Sequence, residues 1–173
     1  DLKGMKIRAQ GTVVPIVQAF GGAPVGTTMP ETYDALRTGV VDGAMSPQEA
    51  LEGWKWGEIV KFTTQNFGSA YTATMFVVMN KNKWNSLPAD VKKIFEDVSR
   101  EWIDVHAKKW DDLDVDGRNF AVSLGNQIIK LPEAESQRWV KAAEPVIDSL
   151  KQALNQANLP GDLWLVANVG EEG

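Results

Sequence analysis

The sequence is poor in the residues on which several classes of protein depend. It contains no cysteine, which excludes a disulfide framework, a thiolate metal site and a cysteine nucleophile. Its 18 lysines and arginines form no cluster, and the net charge of -5 argues against a nucleic-acid-binding surface. No run of about 18 apolar residues occurs, so we expect no membrane-spanning helix. The first residues also lack the layout of a signal peptide, which indicates a mature chain, a fragment or a cytosolic protein.

What is present is typical of a globular domain, with 43% hydrophobic and 24% charged residues. Near the start of the chain, MKIRA, APVGT and VVDGAM predict strands, and TVVPIVQAF between the first two predicts a helix. The segments TMPE (28–31) and SPQE (46–49) read as capping boxes that open two further helices, the second with Ser46 as its N-cap. Strands that alternate with helices indicate βαβ units and a parallel sheet.

The rest of the chain is dominated by helical patterns. GWKWGEIVKFTTQNFGS predicts a helix followed by a strand, and YTATMFVVMN is the strongest strand prediction because of its β-branched and aromatic residues. Apolar residues then recur at helical spacing and predict one long helix at about 88–120. QIIKL predicts a short strand. EAESQRWVKAAEPVIDSLKQALNQAN predicts a last helix with a kink at Pro145, since proline lacks an N–H and clashes with the preceding turn.

Arg8 stands where the first predicted strand ends. In an open parallel sheet, ligands bind in the crevice beyond the carboxyl ends of the strands. Residues 8–11, 27–29 and 44–46 follow the three predicted strands, so a guanidinium, several hydroxyls and two helix N-termini should face one crevice. Helix N-termini present unpaired N–H groups, and a guanidinium binds carboxylates with two parallel bonds. The pattern therefore predicts an anion site, with a solvated strand end as the alternative for Arg8.

Other candidate sites have simpler explanations. GGAPVGTT has the glycine spacing of a phosphate-binding loop, but Thr27 stands in place of the lysine and the glycines precede a strand. His106 has no companion for catalysis or metal binding, and we expect it at the surface. The aspartates within 111–116 lack the glycine and glutamate of a calcium loop and are expected on a solvated helix face. Trp54 and Trp56 flank a glycine-rich region and are candidates for contact with a ligand or partner.

Three stretches of the chain resemble a known family. They are DLKGMKIR, FGGAPVGTTMPETYDALRTGVVDGAMSP and VVMNKNKWNSLPADVKKIFED, of which TYDALRTGVVDG is the most specific. They are similar to the extracytoplasmic solute-binding proteins of tripartite ATP-independent periplasmic (TRAP) transporters. In that family a strand ending in KIR is followed by G-x-x-P, by a Y-x-A-L-x-T-G-x-V-D-G block and by a short motif that ends in proline.

The resemblance implies a cleft in which Arg8, the arginine of the KIR strand, grips the carboxylate of an organic acid. Three features depart from the family pattern. Ser46 replaces the asparagine before the last proline, RAQG replaces the usual R-V-P, and Met29 stands where an aromatic residue is common. These departures leave the identity of the acid open. The candidate substrate-binding residues are Arg8, Gln10, Thr28, Met29, Ser46 and Phe67, with no catalytic or metal-binding residue and no cofactor.

The implied fold class is α/β, a parallel-sheet lobe of a two-lobed periplasmic-binding-protein-like fold with long C-terminal helices. Residues 1–130 should form the α/β lobe and include the long helix at about 88–120, and residues 131–173 should form a C-terminal helical segment packed on it. Because full-length family members are nearly twice this long, the resemblance implies that the N-terminal lobe is absent.

The implied function is that of a periplasmic receptor that is not an enzyme, has lost its signal peptide, and delivers an organic acid to the membrane subunits of its transporter. The solute receptor of an ATP-driven (ABC) transporter is an alternative with the same two-lobed design. A small α/β enzyme is a weaker alternative, because no nucleophile, base and orienting residue can be assembled. An isolated half-cleft should bind ligand weakly, and its exposed surface would favour a homodimer of the fragment.

Overall fold

A three-stranded parallel sheet lies at the front of the chain. The computed structural model describes residues 2–68 and 77–156. Its first sheet contains β1 (Lys6–Arg8), β2 (Ala23–Val25) and β3 (Gly43–Ala44) in the order β2-β1-β3. Arg8 is in register with both Val25 and Ala44, so the three carboxyl ends lie level with one another. The prediction of a parallel sheet is confirmed, with the first strand at its centre.

The crossovers between these strands are short and helical. A 3-10 turn (Gly11–Val13) and α1 (Val14–Ala19) connect β1 to β2, and α2 (Met29–Arg37) connects β2 to β3. The α2 helix ends just before Gly39, which adopts a φ of +75° that side-chain-bearing residues rarely accept. Val17 of α1 packs on Ile7 of the sheet, and this cluster of buried residues fixes α1 against β1.

A second, smaller sheet forms further along the chain. The remaining elements are α3 (Ala50–Gly53), a 3-10 turn (Trp56–Glu58), β4 (Phe62–Gln65), α4 (Lys81–Asn85), α5 (Ala89–Ser123), β5 (Gln127–Lys130) and α6 (Glu133–Gln156). Strands β4 and β5 pair in parallel, with Phe62 opposite Gln127. The long helix and the short strands 62–65 and 127–130 agree with the predictions from the sequence.

The long helix α5 packs through its second half. Gly117 and Ala121 are buried there, and a side chain at Gly117 would overlap the carbonyl oxygen of Gln48. The first half of α5 is different. Six of its apolar side chains are 43–65% exposed in the described structure, namely Ile94, Phe95, Val98, Trp102, Ile103 and Val105. The helix is therefore anchored at one end and carries an uncovered apolar face at the other.

The last helix covers the outer side of α1. Ala143 of α6 is fully buried against Ile16 and Phe20, and the rings of Phe20 and Trp139 lie 4.7 Å apart between centroids. Pro145 lies inside α6, and the kink expected there stays a prediction. Within the described ranges no helix is both long and apolar enough to cross a bilayer.

Two local predictions differ from the structure or lie outside it, and one short helix was not predicted. The helix expected to start at Ser46 begins at Ala50 instead, and the short helix α4 was not anticipated although Asn80 caps it by accepting the N–H groups of Asn82 and Lys83. Of the strand predicted for YTATMFVVMN, residues 71–76 lie outside the described residues. Residues 77–80 form neither helix nor strand.

Candidate functional site

Arg8 is a buried arginine at the carboxyl end of the central strand. It is 5% exposed, so the alternative of a solvated strand end is wrong. Its Nε donates to the carbonyl oxygen of Thr27 at 3.1 Å, and its Nη2 donates to Oε1 of Gln10 at 3.0 Å. These bonds set the plane of the guanidinium, because Gln10 follows the end of the strand that carries Arg8 and Thr27 lies just beyond the neighbouring strand β2. The arginine is thus oriented before any ligand arrives.

Trp56 lies against the same guanidinium. The Cζ atom of Arg8 sits over the indole ring, 5.9 Å from the ring centroid, within the range of a cation–π contact. Trp56 is 2% exposed and belongs to the 3-10 turn that follows α3. The sequence suggested Trp56 as a contact for a ligand or partner, whereas the structure places its ring on Arg8.

The N-terminus of α2 is tied to Arg8 through Thr27. The hydroxyls of Thr27 and Thr32 share a hydrogen bond of 2.8 Å, and the Thr32 hydroxyl also donates to the carbonyl oxygen of Thr28 at 2.7 Å. The predicted capping box is confirmed, since the N–H of Thr28 donates to Oε2 of Glu31 at 3.0 Å. That bond lowers the pKa of Glu31. Thr28 is exposed and Met29 half-buried at this helix terminus, next to the carbonyl that holds Arg8.

Ser46 lies beside Arg8 but does not cap a helix. The N–H of Met45 donates to the carbonyl oxygen of Arg8 at 3.0 Å, which keeps the following residue at the strand end. The Ser46 hydroxyl donates to the carbonyl oxygen of Pro47 at 3.0 Å. The predicted N-cap role is therefore wrong.

The cap of α3 comes instead from a distant residue. Oδ1 of Asp114 accepts the N–H of Glu49 at 2.8 Å, so the long helix α5 holds the start of α3. Asp114 was expected on a solvated face but is half-buried, and burial raises its pKa despite the bonds from Glu49 and Gln48 that lower it. Burial also raises the pKa of Glu49, and the nearby charge of Asp114 adds to that effect. The carboxyl groups of Glu49 and Asp114 are thus close enough to interact, and Glu49 is three residues beyond Ser46.

The other two candidate residues have different positions. Gln10 is exposed, and its amide oxygen serves Arg8 as a hydrogen-bond acceptor. Phe67 is 50% exposed and follows β4, so it belongs to the second sheet and Arg8 to the first. A side-chain bond of 3.3 Å from Gln65 to Gln48 connects the end of β4 to the segment that follows Ser46. The structure therefore groups Arg8, Gln10, Thr28, Met29 and Ser46 at one edge, with Phe67 attached to the edge indirectly.

The described residues outside this edge are less suited to ligand binding. A concavity of about 310 Å³ lies between α1 and α6, but Arg138 at its rim is paired with Glu135 at 2.6 Å. No group of three or more His, Asp or Glu residues in the described ranges could hold a metal ion. His106 is exposed, as expected, and accepts a bond from Trp110 at 2.9 Å. The grouped edge, with a fixed guanidinium beside a helix N-terminus, is suited to bind an anion.

Comparison with known proteins gives a consistent result. Residues 1–153 match the family model DctP, described as bacterial extracellular solute-binding protein, family 7. The C4-dicarboxylate-binding periplasmic protein DctP of Vibrio cholerae is 29% identical over 149 residues, which are 84% of this chain and 44% of that protein. The protein of the same name from Rhodobacter capsulatus is 30% identical over 160 residues, which are 89% of this chain and 46% of that protein.

Solved structures of similar proteins show the same fold. A TRAP periplasmic solute-binding protein from Desulfovibrio salexigens is 32% identical, with a TM-score of 0.72 over 92% of this chain and 50% of that one. A TRAP solute-binding protein from Rhodoferax ferrireducens, in complex with copurified benzoate, is 27% identical, with a TM-score of 0.74 over 91% and 51% of the two chains. The chain spans about half the length of these relatives.

Proposed function

The chain belongs to the bacterial extracellular solute-binding proteins of family 7, and from this premise we propose that it carries part of the binding cleft of a TRAP receptor for an organic acid. The assignment confirms the predicted family, the α/β fold and the periplasmic location, and it favours the role of a TRAP receptor over the ABC-transporter receptor and the small α/β enzyme. In this proposal the receptor captures its ligand by a carboxylate and delivers it to the membrane subunits of its transporter.

One observation carries the proposal, which is the buried and oriented guanidinium of Arg8 at the carboxyl end of the central strand. The bonds to Thr27 and Gln10 hold it from two sides. A carboxylate beyond the strand end would accept charge-assisted, two-point hydrogen bonds from such a group. The N-terminus of α2 next to it adds partial positive charge to the same edge.

The relatives support a carboxylate as the recognised group. The Rhodoferax protein was solved with benzoate, a protein from Bordetella bronchiseptica that is 25% identical was solved with both mandelates, and the two DctP relatives are named as C4-dicarboxylate-binding proteins. These compounds share a carboxylate and differ in the rest of the molecule. We therefore assign the carboxylate to Arg8 and the body of the ligand to Met29, Ser46 and Phe67.

The uncovered face of α5 supports a second lobe outside this chain. Six apolar side chains in the first half of α5 are 43–65% exposed, and a surface of this kind needs a partner. Since the chain spans about half the length of its relatives, we assign the face to the other lobe of the receptor in preference to a homodimer. Residues 1–130 would then form one α/β lobe, with the segment from 131 onward packed on it.

The test uses the full-length receptor and pairs of acids with their neutral amides. Succinate, benzoate and mandelate are compared with succinamide, benzamide and mandelamide by thermal shift and calorimetry. We expect at least one acid to raise the melting temperature, because a ligand at 100 times its Kd stabilises the folded state by about 2.7 kcal/mol, while its amide has no effect. Native mass spectrometry of the receptor from cells should show a retained acid. Equal binding of acid and amide would contradict the proposal, as would a retained ligand without a carboxylate.

A further inference from the structure

We propose that Trp56 is a positioning residue for ligand binding, whose indole ring backs the guanidinium of Arg8 and keeps it turned toward the ligand. The inference rests on the proposed function of Arg8 as the carboxylate anchor. Arg8 lies over the face of the ring at 5.9 Å from its centroid, and both side chains are at least 95% buried. A cation over an aromatic face is attracted to the ring quadrupole, most strongly for tryptophan.

The turn that carries the ring has contacts of its own outside the front sheet. The N–H groups of Ile59 and Val60 donate to the carbonyl oxygen of Trp56 at 2.9 and 3.0 Å. The next residue, Gly57, accepts a buried bond of 2.7 Å from the side chain of Asn126. A side chain at Gly57 would also meet the ring of Phe120 in α5 at 3.2 Å. The platform under Arg8 is thus anchored to α5 and to the residues that follow it.

This arrangement fixes Arg8 from three directions. Gln10 comes from the segment after β1, Thr27 precedes α2, and Trp56 comes from the turn after α3. The two polar contacts define the plane of the guanidinium, and the ring limits its movement out of that plane. A side chain held in this way loses less entropy when it binds a carboxylate.

Two details of the turn favour a role beyond filling space. Lys55, just before Trp56, has a φ of +61°, a left-handed conformation uncommon outside glycine and often found near binding sites. The indole Nε1–H of Trp56 is buried and has no acceptor in the described part of the chain. An unpaired buried N–H is unfavourable, so stability alone would favour an apolar side chain here. The contact between the electron-rich face of the indole ring and the Arg8 guanidinium gives a reason for a tryptophan at position 56.

The first test measures affinity in the full-length receptor with succinate and benzoate as probes. Trp56→Leu removes the ring face, and we expect it to weaken binding by about two-fold to thirty-fold, with a smaller loss for Trp56→Phe. In an Arg8→Ala background Trp56→Leu should have no further effect, because Trp56 acts through Arg8. Trp139→Leu is the matched control. It removes the ring contact with Phe20 and should lower the melting temperature without changing affinity.

The second test needs no ligand. The Nε–H proton of Arg8 lies in a hydrogen bond to Thr27 and beside an indole face, so its NMR resonance should be shifted by the ring and protected from exchange. We expect Trp56→Leu to remove the ring shift and speed exchange, Trp56→Phe to keep part of both, and Trp139→Leu to change neither. Should Trp56→Leu not fold, Trp56→Phe decides.

The outcomes separate this inference from the proposed function. An unchanged Arg8 resonance and unchanged affinity in both Trp56 variants would overturn the positioning role. Equal losses of affinity from Trp56→Leu in the presence and absence of Arg8 would overturn it too, because the ring would then act on its own. If Arg8→Ala itself binds the acid normally, the proposed function fails, while the NMR comparison still decides whether Trp56 holds Arg8.

Discussion

Replacing Arg8 in the full-length receptor is the most direct perturbation of the site. Arg8→Ala removes a side chain that is 5% exposed and that donates to Thr27 and Gln10. Loss of one partner of a close, desolvated charge pair typically costs about 2–5 kcal/mol of binding free energy. We therefore expect the Kd for the recognised acid to rise by about 30-fold to about 5,000-fold.

Arg8→Lys should recover little of this loss. An ammonium group cannot donate in one plane to Thr27, to Gln10 and to two carboxylate oxygens, and it lacks the flat surface that packs on Trp56. We expect its affinity to lie closer to that of Arg8→Ala than to that of the wild type. The assay is calorimetry with the acid found in the carboxylate panel, at fixed ionic strength.

The matched control is Arg37→Ala. Arg37 is also an arginine, but its side chain is 59% exposed and pairs with Asp34 on the outside of α2 at 2.8 Å. Surface pairs of this kind contribute about 0–1 kcal/mol to stability, and the substitution should leave affinity unchanged. The reasoning is refuted if folded Arg8→Ala binds the acid within two-fold of the wild type, or if Arg37→Ala weakens binding to the same degree.

Three further predictions concern α5 in the full-length protein. If the other lobe covers the apolar face of α5, Ile103→Asn should lower the free energy of unfolding, measured with denaturant, by about 1.5–3 kcal/mol. The neighbouring Asp104→Asn should change it little. Equal effects of the two substitutions would argue against the covered face. Gly117→Ala should destabilise by about 1–3 kcal/mol despite the better helix propensity of alanine, because its Cβ would overlap the carbonyl of Gln48; a stabilised variant would contradict this packing. Burial raises the pKa of Asp114 in the folded state, so the folded state binds this proton more tightly than the unfolded state does. The free energy of unfolding should therefore fall as the pH rises from about 3.9, the ordinary pKa of aspartate, toward the folded pKa. Asp114→Asn should flatten that part of the pH profile, and an unchanged slope would contradict the assignment.

Local patterns in the sequence are sufficient to predict the order and type of most elements. Alternation in MKIRA and the glycines at 21, 22 and 39 mark where short strands and helices begin and end, and these signals act over a few neighbouring residues. The regular apolar spacing after Pro88 likewise predicted α5. The rule that ligands bind beyond the carboxyl ends of parallel strands then placed Arg8, Thr28, Met29 and Ser46 together. Each of these inferences depends on a local pattern or on the chain order of the strands.

The contacts that hold the edge of the sheet could not be predicted from local patterns, because they join residues that are distant in the chain. SPQE has the composition of a capping box, but α3 starts at Ala50 because Asp114, 65 residues beyond Glu49, accepts its N–H. The burial of Arg8 depends in the same way on Thr27, 19 residues away, and on the ring of Trp56. No spacing within a single element encodes such contacts, because they arise when separate elements pack and bring together groups that are distant in the chain. For the same reason the sequence could predict that Arg8 is a candidate anchor, whereas the orientation of its guanidinium is seen only in the folded chain.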